Sequence, residues 1–206
     1  CAYRDIPVHW FTSGGNYLCA LTTGVGRVQR RLGQYQFLAD PVNRLPLAKK
    51  TVINRIENQF QYLLRLTRNG SETRGKIVKH LRQMKKLKRQ AENAGDPDEL
   101  RGYEGACGNT YFSALRRVLR GTIPPEFEFQ KRTRRPPRDR FNAILSFGYA
   151  LLYRSVMSAI LQVGLEPALG YYHTPRSSAH PLVMDIMELF RVPVWDQTVI
   201  ASLRRH

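Results

Sequence analysis

From Arg27 onward the apolar residues of this chain recur at intervals of three and four, and no strand-like region follows Leu21. That spacing commits most of the chain to helices packed against one another. Val52, Ile53, Ile56, Phe60, Leu63 and Leu64 mark one long helix, and Ile77, Leu81, Met84 and Leu87 mark another. Asp96-Pro97-Asp98-Glu99 offers a cap, a proline at the first helical position and a carboxylate three residues past the cap. The helix it starts carries Leu100, Tyr103, Cys107, Tyr111, Ala114, Leu115 and Val118. Asp139 caps an apolar helix from Phe141 to Val163, which Gly164 stops. Pro181 opens a last helix with Leu182, Val183, Ile186, Met187 and Phe190 on its inner face, ended by Val192-Pro193.

The first residues differ. Ile6–Phe11 and Tyr17–Leu21 are short apolar runs around Ser13-Gly14-Gly15-Asn16, which reads as a hairpin. An isolated hairpin is marginal in water, so this one is expected to belong to a larger sheet. The chain opens on Cys1 and closes on Arg204-Arg205-His206, in what reads as the middle of an element, so it is expected to be a fragment. Gly24-Val25-Gly26 reads as a linker. The expected segments are therefore 1–26, the end of a β region plus linker, and 27–206, an α-helical domain truncated at its C-terminus.

Lys and Arg number 33 against 16 Asp and Glu, a formal charge of +17. Arg74–Arg89 holds eight basic residues and no acid, and Lys131–Arg140 holds six with only Asp139 among them. One such run is a common solvated face; two runs with this net charge point to a polyanion. Double-stranded DNA is the expected partner, held through phosphates by Arg74, Lys76, Lys79, Arg82, Lys85, Lys86, Arg135 and Arg138. Apolar residues make up 42%, too many for disorder throughout. The cysteines, Cys1, Cys19 and Cys107, show no C-x-x-C spacing, which excludes a disulfide scaffold or zinc knuckle and suits a reducing cytoplasm. The uncharged run Phe141–Tyr153 falls short of the roughly 20 residues a bilayer needs. It is expected to be a buried central helix, with no membrane partner.

No Gly-x-Ser-x-Gly elbow is present, and His173 and His180 are too far apart for a His-x-x-x-His zinc pair. What remains is acids in unusual surroundings. Glu104 sits among Gly102, Gly105 and Gly108, a bare ridge suited to close helix packing, to close approach of a ligand, or to both. Asp185 and Glu188 share a helix face and follow His173, which lies in a loop rich in glycine and tyrosine. A histidine with carboxylates suits Mg²⁺ or Mn²⁺. Spacing equally allows Asp185 and Glu188 to be solvent-facing charges and His173 a satisfied loop residue, and it does not bring Glu104 near them.

Three segments follow one another in order: R-P-P-x-D-x-x-N-x-x-L-S-x-G-Y at Arg135–Tyr149, G-L-x-P-x-x-G-x-x-H at Gly164–His173, and L-x-x-D-x-M-E-x-F-R at Leu182–Arg191. Together they resemble the CRISPR-associated Cas1 family, the integrase subunit of spacer acquisition. Arg101-Gly102-Tyr103-Glu104-Gly105 with Tyr111-Phe112 is similar to the family's glutamate helix, and Ala48–Leu64 and Ile6-Pro7-Val8 match earlier parts. Tyr103, where an aliphatic residue is common, and Cys107, where a small residue is usual, depart from the pattern without removing a ligand.

The resemblance implies a mainly α fold, a C-terminal helical catalytic domain after the remnant of an N-terminal β-sandwich. It implies a metal triad of Glu104, His173 and Glu188, with Asp185 beside it, holding Mg²⁺ or Mn²⁺. The implied reaction joins the 3′-hydroxyl of a captured DNA to a CRISPR repeat by transesterification, or hydrolyses DNA with water as nucleophile. A small companion subunit and a homodimer are implied too. Tyr149, Tyr171 and Tyr172 are candidates for stacking on a base, or equally for the core. The competing expectations are a non-catalytic DNA-binding scaffold and a nuclease for branched DNA in repair.

Overall fold

The computed structural model describes residues 6, 8–13, 17–21, 27–173 and 180–205. They form two compact units, Cys1–Ala48 with Ala150–Met187, and Lys49–Tyr149 with Glu188–His206. Two long helices, α2 (Pro41–Leu66) and α6 (Arg140–Val163), each supply residues to both.

In the first unit, β1 (Val8–Phe11) pairs antiparallel with β2 (Tyr17–Leu21), Val8 opposite Leu21, with an irregularity between Trp10 and Phe11. This is the expected hairpin; its turn residues Gly14–Asn16 and the linker Gly24–Gly26 lie outside the described residues. The Arg154 guanidinium stands 5.6 Å from the Phe11 ring. Helix α1 (Val28–Ala39) is tied to the loop after α6. Arg30 donates to the Val163 carbonyl at 2.8 Å, and the Gln34 amide donates to the Glu166 and Leu169 carbonyls at 3.0 Å.

Gly164 ends α6 as expected, at φ +81°, with Leu165 N–H reaching the Ile160 carbonyl and Gly164 N–H the Leu161 carbonyl, both at 3.1 Å. That double bond is the left-handed helix stop that favours glycine. The unit closes with α7 (Pro181–Met187), where Leu182, Val183 and Met187 are buried.

The second unit holds the rest of α2, the short α3 (Ser71–Gly75), α4 (Val78–Glu92), α5 (Pro97–Leu119), the start of α6 and α8 (Gln197–Leu203). The expected stripe of α4 is inside: Ile77, Leu81, Met84 and Leu87 are buried, and Ala91 extends it. Arg82, Lys85, Lys86 and Arg89 remain on the exposed face. Asp96 caps α5, accepting from Asp98 N–H at 2.7 Å and Glu99 N–H at 2.9 Å, while Glu99 reaches back to Gly95 N–H at 2.8 Å. These contacts satisfy donors that a bare helix start would leave open. Asp139 caps α6 through Asn142 N–H at 2.8 Å. Phe129 and Phe141 stack 4.3 Å apart, and Tyr111, Leu115, Leu145 and Ile200 complete the interior.

Three sequence expectations change. Helix α6 is buried along one stripe rather than all round; Phe147 is 63% exposed, and a third of its most apolar stretch is buried. By length and composition it is long and apolar enough to cross a membrane, a test that core helices of globular proteins also pass. The last helix does not run from Pro181 to Val192-Pro193. Helix α7 stops at Met187, a π-helical turn spans Arg191–Asp196, and α8 continues from it. Pro193 lies at the start of that turn, where its missing N–H breaks no internal bond. Phe190, expected inward, is exposed because it falls in the break.

Candidate active site

Arg55 joins the two candidate glutamates. It projects from α2 into the interior of the second unit, 5% exposed. One terminal nitrogen of its guanidinium pairs with Glu104 of α5, and its Nε lies 3.1 Å from Glu188 Oε2. Arg191 holds the other Glu188 oxygen at 2.9 Å. Two carboxylates far apart in sequence thus converge on one cation, each largely removed from water. Such a group is stable only while its charges stay matched.

The glycine ridge beside Glu104 divides in function. A side chain at Gly108 would meet the Arg55 guanidinium at 3.6 Å, ordinary contact. Gly102 and Gly105 have nothing within 4 Å of where a Cβ would stand. Close helix packing, one of the two readings of this ridge, therefore does not apply at Gly102 and Gly105, which leave exposed backbone on either side of Glu104.

Behind Glu188 lies a second layer. Tyr149 has its ring 5.0 Å from the Arg191 guanidinium and 5.4 Å from that of Arg132, and its hydroxyl donates to Asp196 at 2.6 Å. Tyr111 donates to the other Asp196 oxygen at 3.0 Å. Tyr149 is thus engaged in this network rather than presented for stacking on a base. Burial raises the Asp196 carboxyl to about 6, against the Tyr149 and Tyr111 hydrogen bonds and the Arg191 and Arg132 charges. Arg132 is fixed by Asn142 Oδ1 at 2.9 Å and Ser146 Oγ at 3.2 Å. Burial lowers the Arg134 pKa, and the Arg191 and Arg55 charges lower it further, so the glutamates sit under a dense cationic field.

In the first unit, Asp185 organises the histidine loop. Completely buried, it accepts from Tyr171 N–H at 2.7 Å and Tyr172 N–H at 3.0 Å through Oδ2. Its Oδ1 takes His173 N–H at 2.9 Å and His173 Nδ1 at 2.6 Å. With Nδ1–H donating to this carboxylate, the Nε2 lone pair is free to bind a metal, the arrangement typical of ligating histidines. Gly170 makes the approach possible: a Cβ there would lie 2.6 Å from Asp185 Oδ2 and from Pro181 Cβ. Asp185 and Glu188 are therefore buried, and the alternative of solvent-facing helix charges is set aside.

The structure brings Glu104 and Glu188 to one arginine, and His173 to Asp185. Among the described residues, no group of three or more His, Cys, Asp and Glu side chains is gathered to hold a metal ion. The chemistry of the two glutamates nevertheless fits a hard divalent cation: they already share a positive charge. Burial pushes the Cys107 thiol up to about 12, so it is no nucleophile.

Of the DNA-contact candidates, Lys79, Arg82, Lys85, Lys86, Arg135 and Arg138 are exposed. Lys76 pairs with Glu72 at 2.9 Å, and Arg74 is turned onto the end of α2, donating to the Leu64 carbonyl at 3.0 Å. Sequence reasoning missed Arg55 and Arg191. The signal for Arg55 was a charge inside the buried stripe Val52–Ile56–Gln59–Leu63; that for Arg191 was its position one turn after Glu188.

Residues 1–206 match the family described as CRISPR associated protein Cas1. A CRISPR-associated exonuclease Cas4/endonuclease Cas1 fusion from Leptospira interrogans is 47% identical over 98% of this chain and 37% of its own length. The CRISPR-associated endonuclease Cas1 3 of Thermus thermophilus is 36% identical over 98% of this chain and 57% of its own. The chain thus spans between a third and three fifths of these two relatives. A chain of a solved Cas6-RT-Cas1–Cas2 complex superposes with a TM-score of 0.80 at 30% identity, covering 99% of this chain and 22% of that one. With the whole chain matched and the helical fold shared, this protein belongs to the Cas1 family.

Proposed function

We propose that this chain carries the catalytic part of a metal-dependent DNA integrase of CRISPR adaptation, with residues 27–206 as its α-helical catalytic domain and 1–26 the end of a β domain plus linker. The observation that carries the reading is the convergence of Glu104 and Glu188 on Arg55 inside a strongly basic chain. Glu104, Glu188 and His173 are the proposed ligands of Mg²⁺ or Mn²⁺, with Asp185 fixing the His173 ring. The bound ion supplies Lewis-acid polarisation of a phosphoryl oxygen and lowers the pKa of the attacking hydroxyl.

The chain's own residues do the rest. Glu104 and Glu188 provide negative charge in a cationic surround, so a divalent ion and a phosphodiester are both favoured there. Arg134 and Arg191 offset the charge of the phosphate under attack. Exposed cations on α4 and at Arg135 and Arg138 hold DNA backbones, which makes binding steeply dependent on salt. In the transfer, the 3′-hydroxyl oxygen bonds to the phosphorus at the repeat's 5′ end as the P–O bond to the 3′ oxygen of the adjoining nucleotide outside the repeat breaks, and the hydroxyl proton ends on that leaving oxygen through solvent. No covalent protein intermediate is needed. Double-stranded DNA, a small companion subunit, homodimer formation and a cytoplasmic location belong to the same proposal. The Cas1–Cas2 complex among the structural relatives supports the companion.

The test is strand transfer of a 3′-hydroxyl duplex into a repeat-bearing plasmid with Mn²⁺. Glu104→Gln, Glu188→Gln and His173→Ala are each expected to lower the rate at least 100-fold while DNA binding persists. Full activity in Glu104→Gln removes Glu104 from the ligand set. Inactivity of the unaltered chain, with its companion present and DNA still bound, favours the scaffold reading.

A further inference from the structure

Two buried groups behind Glu188 have no part in the chemistry proposed above: the Asp196 carboxyl, 1% exposed, and the Tyr149 hydroxyl that donates to it at 2.6 Å. Asp196 stands where α8 begins, yet its side chain caps no N–H there. It turns inward to Tyr149 and Tyr111 instead. Burying a carboxylate costs more than filling the same space with apolar atoms. The backbone supports the same arrangement. On an α-helix, residues five apart lie about 140° from each other. Arg191–Asp196 is a π-helical turn, whose i→i+5 closure brings its first and last residues to one side. Both reach Tyr149: the Arg191 guanidinium stands 5.0 Å from its ring, and Asp196 takes its hydroxyl. Arg191 Nε has no hydrogen-bond partner among the described residues, so the ring confines the guanidinium there by packing and cation–π attraction. Beyond it, Arg191 holds Glu188 Oε1 at 2.9 Å, and Glu188 Oε2 lies toward Arg55, the cation that Glu104 shares.

We propose that Tyr149 and Asp196 are positioning residues for strand transfer: Asp196 fixes the Tyr149 ring, the ring fixes Arg191, and Arg191 turns the Glu188 carboxylate so that Oε2 is presented to the metal beside Glu104. Neither Tyr149 nor Asp196 is a proposed ligand; each acts through the next side chain. A carboxylate held at one oxygen by a planar guanidinium cannot swing freely about its last bond, so its second oxygen keeps one direction. Outer partners of this kind set how tightly a ligand takes its ion. Tyr111 provides an internal comparison. It makes the same kind of bond to the other Asp196 oxygen, at 3.0 Å, but its ring packs on Phe112, 5.0 Å away. The proposal rests on the ligand set given above, in which Glu188 binds the metal.

The experiment titrates Mn²⁺ calorimetrically into the full chain without DNA, below the lowest thermal midpoint among the variants, and then measures strand transfer. Tyr149→Phe keeps the ring and every charge and removes only the bond to Asp196. It is expected to weaken Mn²⁺ binding about tenfold. The Mn²⁺ concentration for half-maximal strand transfer is expected to rise by the same factor, while the KM for DNA changes by about twofold at most. Tyr111→Phe, which removes the other buried bond to Asp196, is expected to lower the thermal midpoint as much but Mn²⁺ affinity by about twofold at most. Arg191→Lys keeps the charge without the planar fork and is expected to lose about tenfold or more. Tyr149→Phe combined with Arg191→Lys is expected to lose no more than Arg191→Lys alone, because the two act in series. Equal losses in Tyr149→Phe and Tyr111→Phe would show a purely structural role and overturn the proposal, as would additive losses in the double variant. Arg191→Lys tests the same link from its other end: undiminished affinity there overturns the proposal even where Tyr149→Phe is too unstable to titrate. Glu188→Gln separates the two levels. If it leaves Mn²⁺ affinity unchanged, the ligand set fails and the positioning role with it; if it weakens binding while Tyr149→Phe does not, the positioning role alone fails.

Discussion

Asp185 holds His173 at two points with one oxygen, the backbone N–H at 2.9 Å and the ring Nδ1 at 2.6 Å. One completely buried carboxylate thereby sets both the path of the loop and the tautomer of its histidine. Asp185→Asn keeps the shape, but its amide oxygen is a weaker acceptor and its NH₂ faces donors. The expected cost is about 1–3 kcal/mol of stability. Mn²⁺ affinity is expected to fall about 10–100-fold, the usual effect of losing a partner behind a ligand. Urea unfolding and calorimetric Mn²⁺ titration read the two separately. Unchanged affinity with reduced stability would make Asp185 purely structural.

Gly148 and Trp195 are in such close contact that a side chain at 148 would overlap the indole ring. Trp195 is also anchored by its Nε1–H to the Ile144 carbonyl at 3.1 Å. Gly148→Ala must expel the indole, at about 1–3 kcal/mol or more. The expected readouts are a lower thermal midpoint and a red shift of tryptophan emission, since the one other tryptophan, Trp10, lies in the hairpin.

The local signals in the sequence translated directly. Asp96 and Asp139 cap helices, Gly164 stops one, and the stripe from Ile77 to Leu87 is buried, because each depends on neighbours within a turn or two. Family motifs singled out Glu104, Glu188 and Asp185, and the structure gives each a charged or hydrogen-bonded partner. Arg55 was not legible because its value is tertiary: it looks like one more cation until α2 is set against α5 and Glu188. The end of the last helix was misread for a different reason. A proline breaks an α-helix through its missing N–H, but at the start of a π-helical turn that N–H has no bond to make.

Asp196 predicts a pH dependence of stability. Burial raises its carboxyl to about 6 in the folded chain, above its ordinary value near 3.8. Between these values the folded state holds a proton that the unfolded state has released. Its contribution is therefore greatest below about pH 4 and is lost as pH rises through about 6, by roughly 3 kcal/mol at most. Asp196→Asn carries no such group. The difference in unfolding free energy, unaltered chain minus variant, is expected to fall as pH rises from 4 to 6 and to stay flat from 7 to 8. A flat difference throughout would place the Asp196 pKa in the ordinary range.

Arg55 is the sharpest test of whether the glutamates form a cation site. Arg55→Gln removes the charge they share, taking the Arg55 guanidinium from both Glu104 and Glu188 while Arg191 still pairs with Glu188. Breaking a buried pair on one side costs about 3–5 kcal/mol. If the two carboxylates are also metal ligands, a divalent ion can replace the missing charge, and binding to the folded state alone raises stability with ion concentration. Mn²⁺ is therefore expected to raise the urea midpoint of Arg55→Gln more than that of the unaltered chain. Glu104→Gln in the same background is expected to remove most of that gain. If Mn²⁺ shifts both midpoints equally, Arg55 and the metal do not share the glutamates, and the ligand set proposed for Glu104 and Glu188 fails without any appeal to activity.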